Sequence, residues 1–412
     1  PDSYSGLGLQ NLIFMVVEIL DYHSRWKDVE ENRPLLHLLF IEEPEAHLHA
    51  QLQQVFIRRV LSLVEEEAPS AFRSQLVVTT HSPHILYERG FAPIRYFRRH
   101  LAAGEQTTTV LNLSSFQPGE HPKDRDFLQR YLKLTHCDLF FADAALLVEG
   151  NVERLLLPLM IEKVAPALCS ASVCILEVGG AFGHRFKELI EFLSISTLII
   201  TDLDSVVETA DQVAAEEDQE KEFEVPPAEE NQAPQRKYGR TCRADLPGAV
   251  SANQTLLQWL PKKRTIQELL DATAAQKTTA VAGNDGIEVR VAYQTRIPVT
   301  WNGTTENLCG RTLEEAFGLE NTQWCQEAAR QGVGLRLKVV PTTPTELATS
   351  LHKRVTGKNF DKTKFALEVL SRRSEEWLVP AYIKEGLEWL EDEVDRDENI
   401  LPNPADPQPQ AP

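Results

Sequence analysis

The sequence predicts an α/β protein of more than one domain, organised around parallel sheets. Three observations predict it. Short runs rich in Val, Ile and Leu recur at 38–41, 76–78, 145–148, 174–178 and 197–200. Apart from Glu177 and Thr197, each is apolar throughout rather than alternating, the pattern of a strand buried on both faces. A carboxylate, a glycine or a polar Thr-His-Ser group stands just past each run, so polar groups gather on a shared rim. Finally, 412 residues at 42% apolar content can bury a large core, and chains of this size usually divide into two or three domains.

The net charge of −19 is unevenly spread. Residues 208–230 carry −9 and residues 385–398 carry −7, leaving −3 for the rest. Basic groups at 95–100, 236–243, 262–264 and 353–364 stand against that nearly neutral body, as contact with phosphate requires. Six cysteines form no CxxC pair and no zinc spacing, which leads us to expect reduced thiols in a cytoplasmic protein. No apolar run approaches the roughly 18 residues of a membrane span, so no membrane partner is expected. The chain begins at Pro1 rather than Met, and we expect it to be the C-terminal part of a longer protein.

In chain order, SYSGLGLQ (3–10) is a glycine-rich turn opening onto a helical pattern over 11–22. The N–H groups of a helix start beside Ser5 and Gly6 are free to meet an anion. LLFIEEPEAHLHAQ (38–51) then reads as a strand ending in Glu42 and Glu43, a proline stop, and a helix from about Ala46. QLVVTTHSPHIL (75–86) reads as a strand ending in Thr80, His81 and Ser82. Adjacent carboxylates after a strand can divide the work of phosphate chemistry, one holding magnesium through water and the next orienting an attacking water.

These pieces resemble the second half of an ABC-type ATPase of the kind found in DNA-repair and chromosome-structure proteins. On that resemblance, SGLGLQ is the signature turn with Ser5 and Gly6, Glu42 and Glu43 are the Walker B acids, His47 lies in the D-loop, and His81 is the switch histidine. The chain lacks the glycine-rich loop ending in Gly-Lys-Ser or Gly-Lys-Thr that cradles phosphates in such enzymes. The expectation is therefore an ATPase half (1–113) that does not turn over ATP by itself. ATP would serve the full-length protein, which could form a homodimer through this half.

A hairpin is expected over 95–113, with its turn at 101–106, then a linker and connecting helix over 114–143. The first part of a second domain follows at 144–207. Glu149 ends its first strand, and a helix beginning after Gly150 would bring Glu153 back over the same point. Gly179 and Gly180 follow the next strand. Asp202 and Asp204, two residues apart beyond a third, project to one side if the chain stays extended. Four acids on one rim repel each other, and all-oxygen ligation suits Mg2+ or Mn2+ better than zinc.

Glu-Gly with Glu four residues on, Gly-Gly, and Asp-x-Asp at three successive strand ends resemble the Toprim pattern of topoisomerases, primases and nucleases. An ABC-type ATPase followed by Toprim resembles the OLD (overcoming lysogenization defect) family of nucleases. That resemblance implies a further acid in RTLEEAF (311–317), either Glu314 or Glu315 with Glu314 preferred, and a lysine in KTKFAL (362–367), Lys362 preferred to Lys364. It also implies two-metal phosphodiester hydrolysis, with Glu149, Glu153, Asp202, Asp204 and Glu314 as ligands. Glu149, Asp202, Asp204 and Lys362 then carry the chemistry.

Between the Asp-x-Asp strand and Glu314 lies a long insertion (208–310), expected to be largely helical: an acidic, proline-containing loop over 208–235, a helical pattern over 256–270 and an alternating strand over 288–299. Arg240, Arg243, Lys262, Lys263 and Arg264 are its candidates for holding DNA. Helical patterns at 313–331 and 345–389 fall largely in the remainder of the domain (311–384), and the tail (385–412) is acidic and proline-rich. Two rival functions are an ATP-gated DNA-binding scaffold without cleavage and a topoisomerase, which needs a nucleophilic tyrosine; nothing around Tyr238 or Tyr293 marks either one as such.

Overall fold

The apolar runs become strands, and their registers decide where the acids end up. The computed structural model describes residues 6–46, 48–61, 74–88, 90–102, 105–116, 122–135, 137–179, 183–207, 239–281 and 286–398. It divides into two compact units, 1–141 and 142–412. Ser5, His47, Gly180, Tyr238, the acidic loop 208–235 and residues 399–412 lie outside the described residues.

In the first unit, α1 (Leu7–Lys27) starts directly after Gly6, whose backbone is extended and which offers no side chain to cap the helix. β1 (Leu38–Glu42) and β2 (Gln75–Thr79) pair in parallel, with Leu38 opposite Gln75 and Glu42 opposite Thr79. Ile19 of α1 packs with Leu39, Leu48, Phe56 and Val60. The next helix, α2 (Ala50–Leu61), begins four residues later than the sequence suggests. Two tight turns precede it, in which Ala46 N donates to Glu43 O and Leu48 N to Glu45 O. The carboxylate of Glu45 accepts from Thr80 Oγ1 (2.9 Å) and His81 N (2.6 Å), tying these turns to the end of β2. After α3 (Pro83–Glu88), β3 (Arg95–Ala102) and β4 (Glu105–Asn112) form the expected antiparallel hairpin. Then come α4 (Pro122–Thr135) and a short 3-10 helix, Cys137–Phe141.

The second unit opens with β5 (Ala144–Val148) and α5 (Asn151–Val164), then β6 (Val173–Glu177), α6 (Lys187–Leu193) and β7 (Ser196–Ile200). Every residue of β5 and β7 is buried, as their uninterrupted apolar character demands. Three short strands follow, β8 (Ser205–Val207), β9 (Arg240–Thr241) and β10 (Val250–Ser251), with β8 between the other two. Two more strands, β11 (Thr278–Ala280) and β12 (Glu288–Ala292), complete a five-stranded sheet in the order β11-β12-β7-β5-β6. All its pairs are parallel except the β11 edge. In register, Val148 lies opposite Ile200 and Ile200 opposite Ala292. The residues that follow, Glu149, Thr201-Asp202 and Tyr293-Gln294, therefore emerge at one rim.

The insertion, expected to be largely helical, is mainly short strands in its described residues, because its apolar positions alternate more than they repeat at helical spacing. Three single elements also differ from the sequence reading. The helix expected over 256–270 is two, Gln254–Gln258 and Ile266–Leu270. Pro261 between them has no N–H to continue the first, and Thr265 caps the second through Glu268 N. The strand expected over 288–299 is also two: β12 is almost wholly buried, and β13 (Ile297–Trp301) turns back as a hairpin with β14 (Thr304–Leu308). Asn302 and Gly303 both take positive φ (47° and 78°), as a two-residue hairpin turn requires. The helical pattern over 313–331 breaks at Asn321, whose amide donates to the carbonyls of Phe317 and Leu378 and so takes the chain out of the helix.

Under the sheet, Phe317 meets the rings of Phe365, Trp377 and Trp324 at 5.4, 5.6 and 5.8 Å, all within the main hydrophobic cluster. Phe317→Ala opens a cavity at this junction and should destabilise the second unit by about 3–5 kcal/mol. A shift in the urea midpoint of the unfolding transition measures it, and a change below about 1 kcal/mol would show that the ring cluster does not hold the helices.

Candidate active site

Glu149 leaves β5 into the cup formed by the neighbouring strand ends. Its Oε2 accepts from Thr201 Oγ1 (2.8 Å), Asp202 N (2.8 Å) and Asn253 Nδ2 (3.3 Å). Asn253 Nδ2 also reaches Thr201 Oγ1 (2.7 Å) and Asp202 O (2.9 Å), fastening the end of β7 to the insertion. Glu153, in the first turn of α5, folds back so that Gly150 N donates to its Oε2 (3.1 Å). The same contact satisfies an otherwise unpaired N–H at the helix start and brings the Glu153 carboxylate over the strand end.

Asp202 is 6% exposed. Its Oδ1 accepts from Gln294 Nε2 (2.6 Å), at the end of β12, and from Leu313 N (3.0 Å), at the start of the Leu313–Glu320 helix. Gln294 Oε1 in turn accepts from Leu203 N (2.9 Å), and its amide also donates to the buried Tyr382 hydroxyl (3.2 Å). Glu314, 1% exposed, accepts from Thr312 Oγ1 (2.7 Å) and pairs with Lys362 Nζ at 3.1 Å. Its neighbour Glu315 joins His352 Nδ1 (2.8 Å) and Arg311 N (3.0 Å) instead, while Lys364 N is engaged by the helix-capping Asp361.

Asp204 departs from the extended path. Its φ is +46°, a left-handed conformation that Asp tolerates better than most residues, and its carboxylate pairs with Arg311 Nη2 at 2.6 Å. The alternation expected to aim Asp202 and Asp204 at one point thus ends at Leu203.

The electrostatics follow from burial of like charges. Burial, then the charge of Asp204, pushes the Glu149 carboxyl up to about 8 against the hydrogen bonds from Asp202 N and Thr201. Burial and the Glu314 charge push Glu153 up to about 7. Asp202 is raised well above the carboxylate range by burial and by Glu149 and Glu153. Burial opposes the charge on Lys362, yet Glu314, Asp202 and Glu153 outweigh it and raise its pKa. Buried oxygen donors that resist ionisation in each other's company are suited to a hard divalent cation. Among the described residues, no three His, Cys, Asp or Glu side chains are grouped as an ion would need; hydroxyls, amides, Lys362 and Arg311 engage the carboxylates.

Elsewhere the predicted residues divide. In the first unit, Glu43 sits just past β1 with φ +42°, and its Oε1 lies 3.6 Å from His81 Nε2 at the end of the partner strand. Glu42 is the exposed last residue of β1, and Gly6 precedes α1. Sequence reasoning missed Glu45, which binds the His81 backbone. In the second unit, Arg243 is taken up by Asp245, Thr345 O and Thr349 Oγ1. Arg240, Lys262 and Arg264 are exposed and Lys263 half-buried. The 262–264 segment is fixed where Ser251 N donates to Arg264 O, one strand from Asp204. Asn253, Gln294, Arg311 and Tyr382 were also missed. Asn253 carried a signal as a helix-capping residue.

Comparison with known proteins places two family matches on this framework. Residues 1–86 match an AAA ATPase domain, and residues 140–204 match the Toprim domain of overcoming lysogenization defect-like proteins. The chain is similar to endonuclease GajA of Bacillus cereus strain HuB5-5, 25% identical over 97% of this chain and 54% of that protein. It is 28% identical to endonuclease GajA of B. cereus strain VD045 over 44% of this chain and 28% of the relative. An OLD nuclease of Thermus scotoductus is 24% identical over 58% of this chain and 42% of the relative. The chain spans about half or less of the length of each curated relative it matches.

Because Glu149 and Glu153 hold protons to about 8 and 7 in the folded state, against 4.5 for a free carboxyl, folding takes up protons between those values. The contribution of these two groups to stability in chelator should be fully present below about pH 4.5 and be lost as pH rises towards 8. Glu149→Gln should flatten that slope, and Mn2+ should restore part of the loss at pH 8. Melting temperatures from pH 5 to 8 test this; equal slopes for the two chains would refute the burial argument.

Proposed function

We propose that this chain, which joins an AAA ATPase segment to an OLD-like Toprim domain, cleaves DNA at the carboxylate rim of its second unit. The observation that carries this reading is that Glu149, Glu153, Asp202, Glu314 and Lys362, at two strand ends and the starts of three helices, stand near enough for their charges to act on one another. Asp204 adjoins them through Glu149. The relatives' names, endonuclease and nuclease, agree with it.

In this reading Glu149, Glu153, Asp202, Asp204 and Glu314 hold two Mg2+ or Mn2+ ions, which supply Lewis acidity at the phosphate. The chain's own contribution is placement. Asn253 and Gln294 fix Glu149 and Asp202, so their oxygens need no reorganisation when substrate arrives. Lys362 is half-exposed and kept protonated by its buried partners, so its ammonium can offset charge gathering on the phosphate. Arg240, Lys262, Lys263 and Arg264 hold the DNA backbone, whereas Arg243 is reserved for internal contacts. A tyrosine nucleophile has less support: Tyr293 is fully buried and donates to Leu269 O.

ATP acts through the first unit in this proposal, where Glu42, Glu43 and His81 stand at paired strand ends. Full-length chains dimerise there around nucleotide, in the cytoplasm. Among the described residues, no helix is long and apolar enough to cross a membrane.

Two measurements test the proposal. Supercoiled plasmid incubated with the chain should be cut or nicked with Mg2+ or Mn2+ and left intact with chelator. Asp202→Ala should slow cleavage by roughly a hundredfold or more. Unchanged cleavage by Asp202→Ala would reject the site, and DNA binding without metal-dependent cleavage would favour the scaffold function. Phosphate release from ATP by these 412 residues should stay at background, since they contain no Gly-Lys-Ser/Thr loop. Turnover abolished by Glu43→Gln would contradict that expectation.

A further inference from the structure

The rim contains two cationic side chains, and they serve different parts of it. Lys362 pairs with Glu314 beside Glu153 and Asp202. Arg311 pairs with Asp204, whose charge is felt at Glu149. The Arg311 side chain is 15% exposed and that of Asp204 29%, so this contact is largely withdrawn from water.

Arg311 is fixed by more than one bond. Its Nε donates to Ser205 O (3.2 Å) while its Nη2 reaches Asp204, so one guanidinium spans two successive residues of the turn. Its own N–H is held by Glu315 Oε2, and Glu315 is held by His352. Gly310 before it packs so closely that a Cβ there would stand 2.5 Å from Ala316 N, which sets where the backbone of Arg311 runs. From the other side, Ala252 N donates to Asp204 O (3.1 Å). The left-handed turn at Asp204 is thus gripped at its carbonyl, at its carboxylate and at the next carbonyl.

A planar guanidinium suits this task because its donors are fixed relative to each other; a lysine offers one flexible point charge. The arrangement also has an electrostatic consequence. A cation already paired with Asp204 competes with any ion seeking that oxygen.

Building on the nuclease reading above, we propose that Arg311 is a positioning residue of the site. It holds Asp204 in its turn beside Glu149 and acts as that carboxylate's counter-charge until a divalent cation is bound.

The test uses the 412-residue chain and its Arg311→Gln and Arg311→Lys variants. Mn2+ is titrated calorimetrically without DNA, and plasmid cleavage is followed against Mn2+ and DNA concentration. Arg311→Gln should bind Mn2+ roughly three- to tenfold more tightly, because the competing charge is gone. Its kcat should fall by about tenfold or more with KM for DNA little changed, because Asp204 has lost its clamp. Arg311→Lys should return Mn2+ affinity towards that of the unsubstituted chain. Unchanged or weaker Mn2+ binding by Arg311→Gln would overturn the proposal. Asp202→Ala separates the two levels. If it leaves Mn2+ binding intact, the metal site itself is wrong; if it removes binding while Arg311→Gln changes nothing, only the role of Arg311 fails.

Discussion

The alignment of three buried parallel strands is the constraint on which the second unit depends. Val148, Ile200 and Ala292 stand level across β5, β7 and β12, so each chain leaves the sheet at the same height. Apolar side chains occupy both faces of the central strands, and a one-residue slip would move polar rim residues into them. Register therefore specifies a chemical site as a by-product of packing. Glu149, Asp202 and Gln294 meet because the strands before them have nowhere else to fit.

That placement has an energetic cost that the surrounding donors offset. Buried carboxylates lose hydration, and each one raises the cost of ionising the next. Hydrogen bonds to charged groups contribute about 1.5–3 kcal/mol each, and the rim concentrates them: Thr201, Asn253 and the Asp202 amide on Glu149, and Gln294 with Leu313 N on Asp202. The opposition is incomplete, since Glu149 and Glu153 still hold protons to about 8 and 7. On the proposed function, a bound divalent cation would relieve that residual cost, which would link metal binding to stability.

The strand ends were legible in the sequence because an apolar run followed by a carboxylate has one economical solution: a buried strand with the polar group at its rim. That logic located Glu149, Asp202 and, in the first unit, the facing Glu43 and His81. It failed where backbone direction was assumed rather than encoded. Asp204 was expected to follow Asp202 by strand alternation, but the left-handed turn at Asp204 is imposed by Arg311 and Ala252, contacts no local pattern reveals. Gln294 was hidden because 288–299 alternates well enough to pass for one strand, although the Asn302-Gly303 turn marked the following hairpin. Arg243 looked equivalent to its basic neighbours until Asp245 and the helix behind it were seen to claim its donors.

The insertion changes how the site should be delimited. The Toprim match ends at Asp204, yet the chain does not leave the site there. Both β9 and β10 pair with β8, directly after Asp204, so each return of the insertion lands against the Asp-x-Asp turn. The second return delivers Asn253, whose amide bridges Glu149, Thr201 and the carbonyl of Asp202 at once. β12 then adds Gln294 as a further clamp on Asp202, and the segment after β14 adds Arg311 and Glu314. A segment cut at Asp204 would keep four of the acids and lose the amides and cations that make their burial tolerable. The insertion is accordingly part of the site's construction, and its distance in sequence from Glu149 reflects the topology of the sheet rather than a separate role.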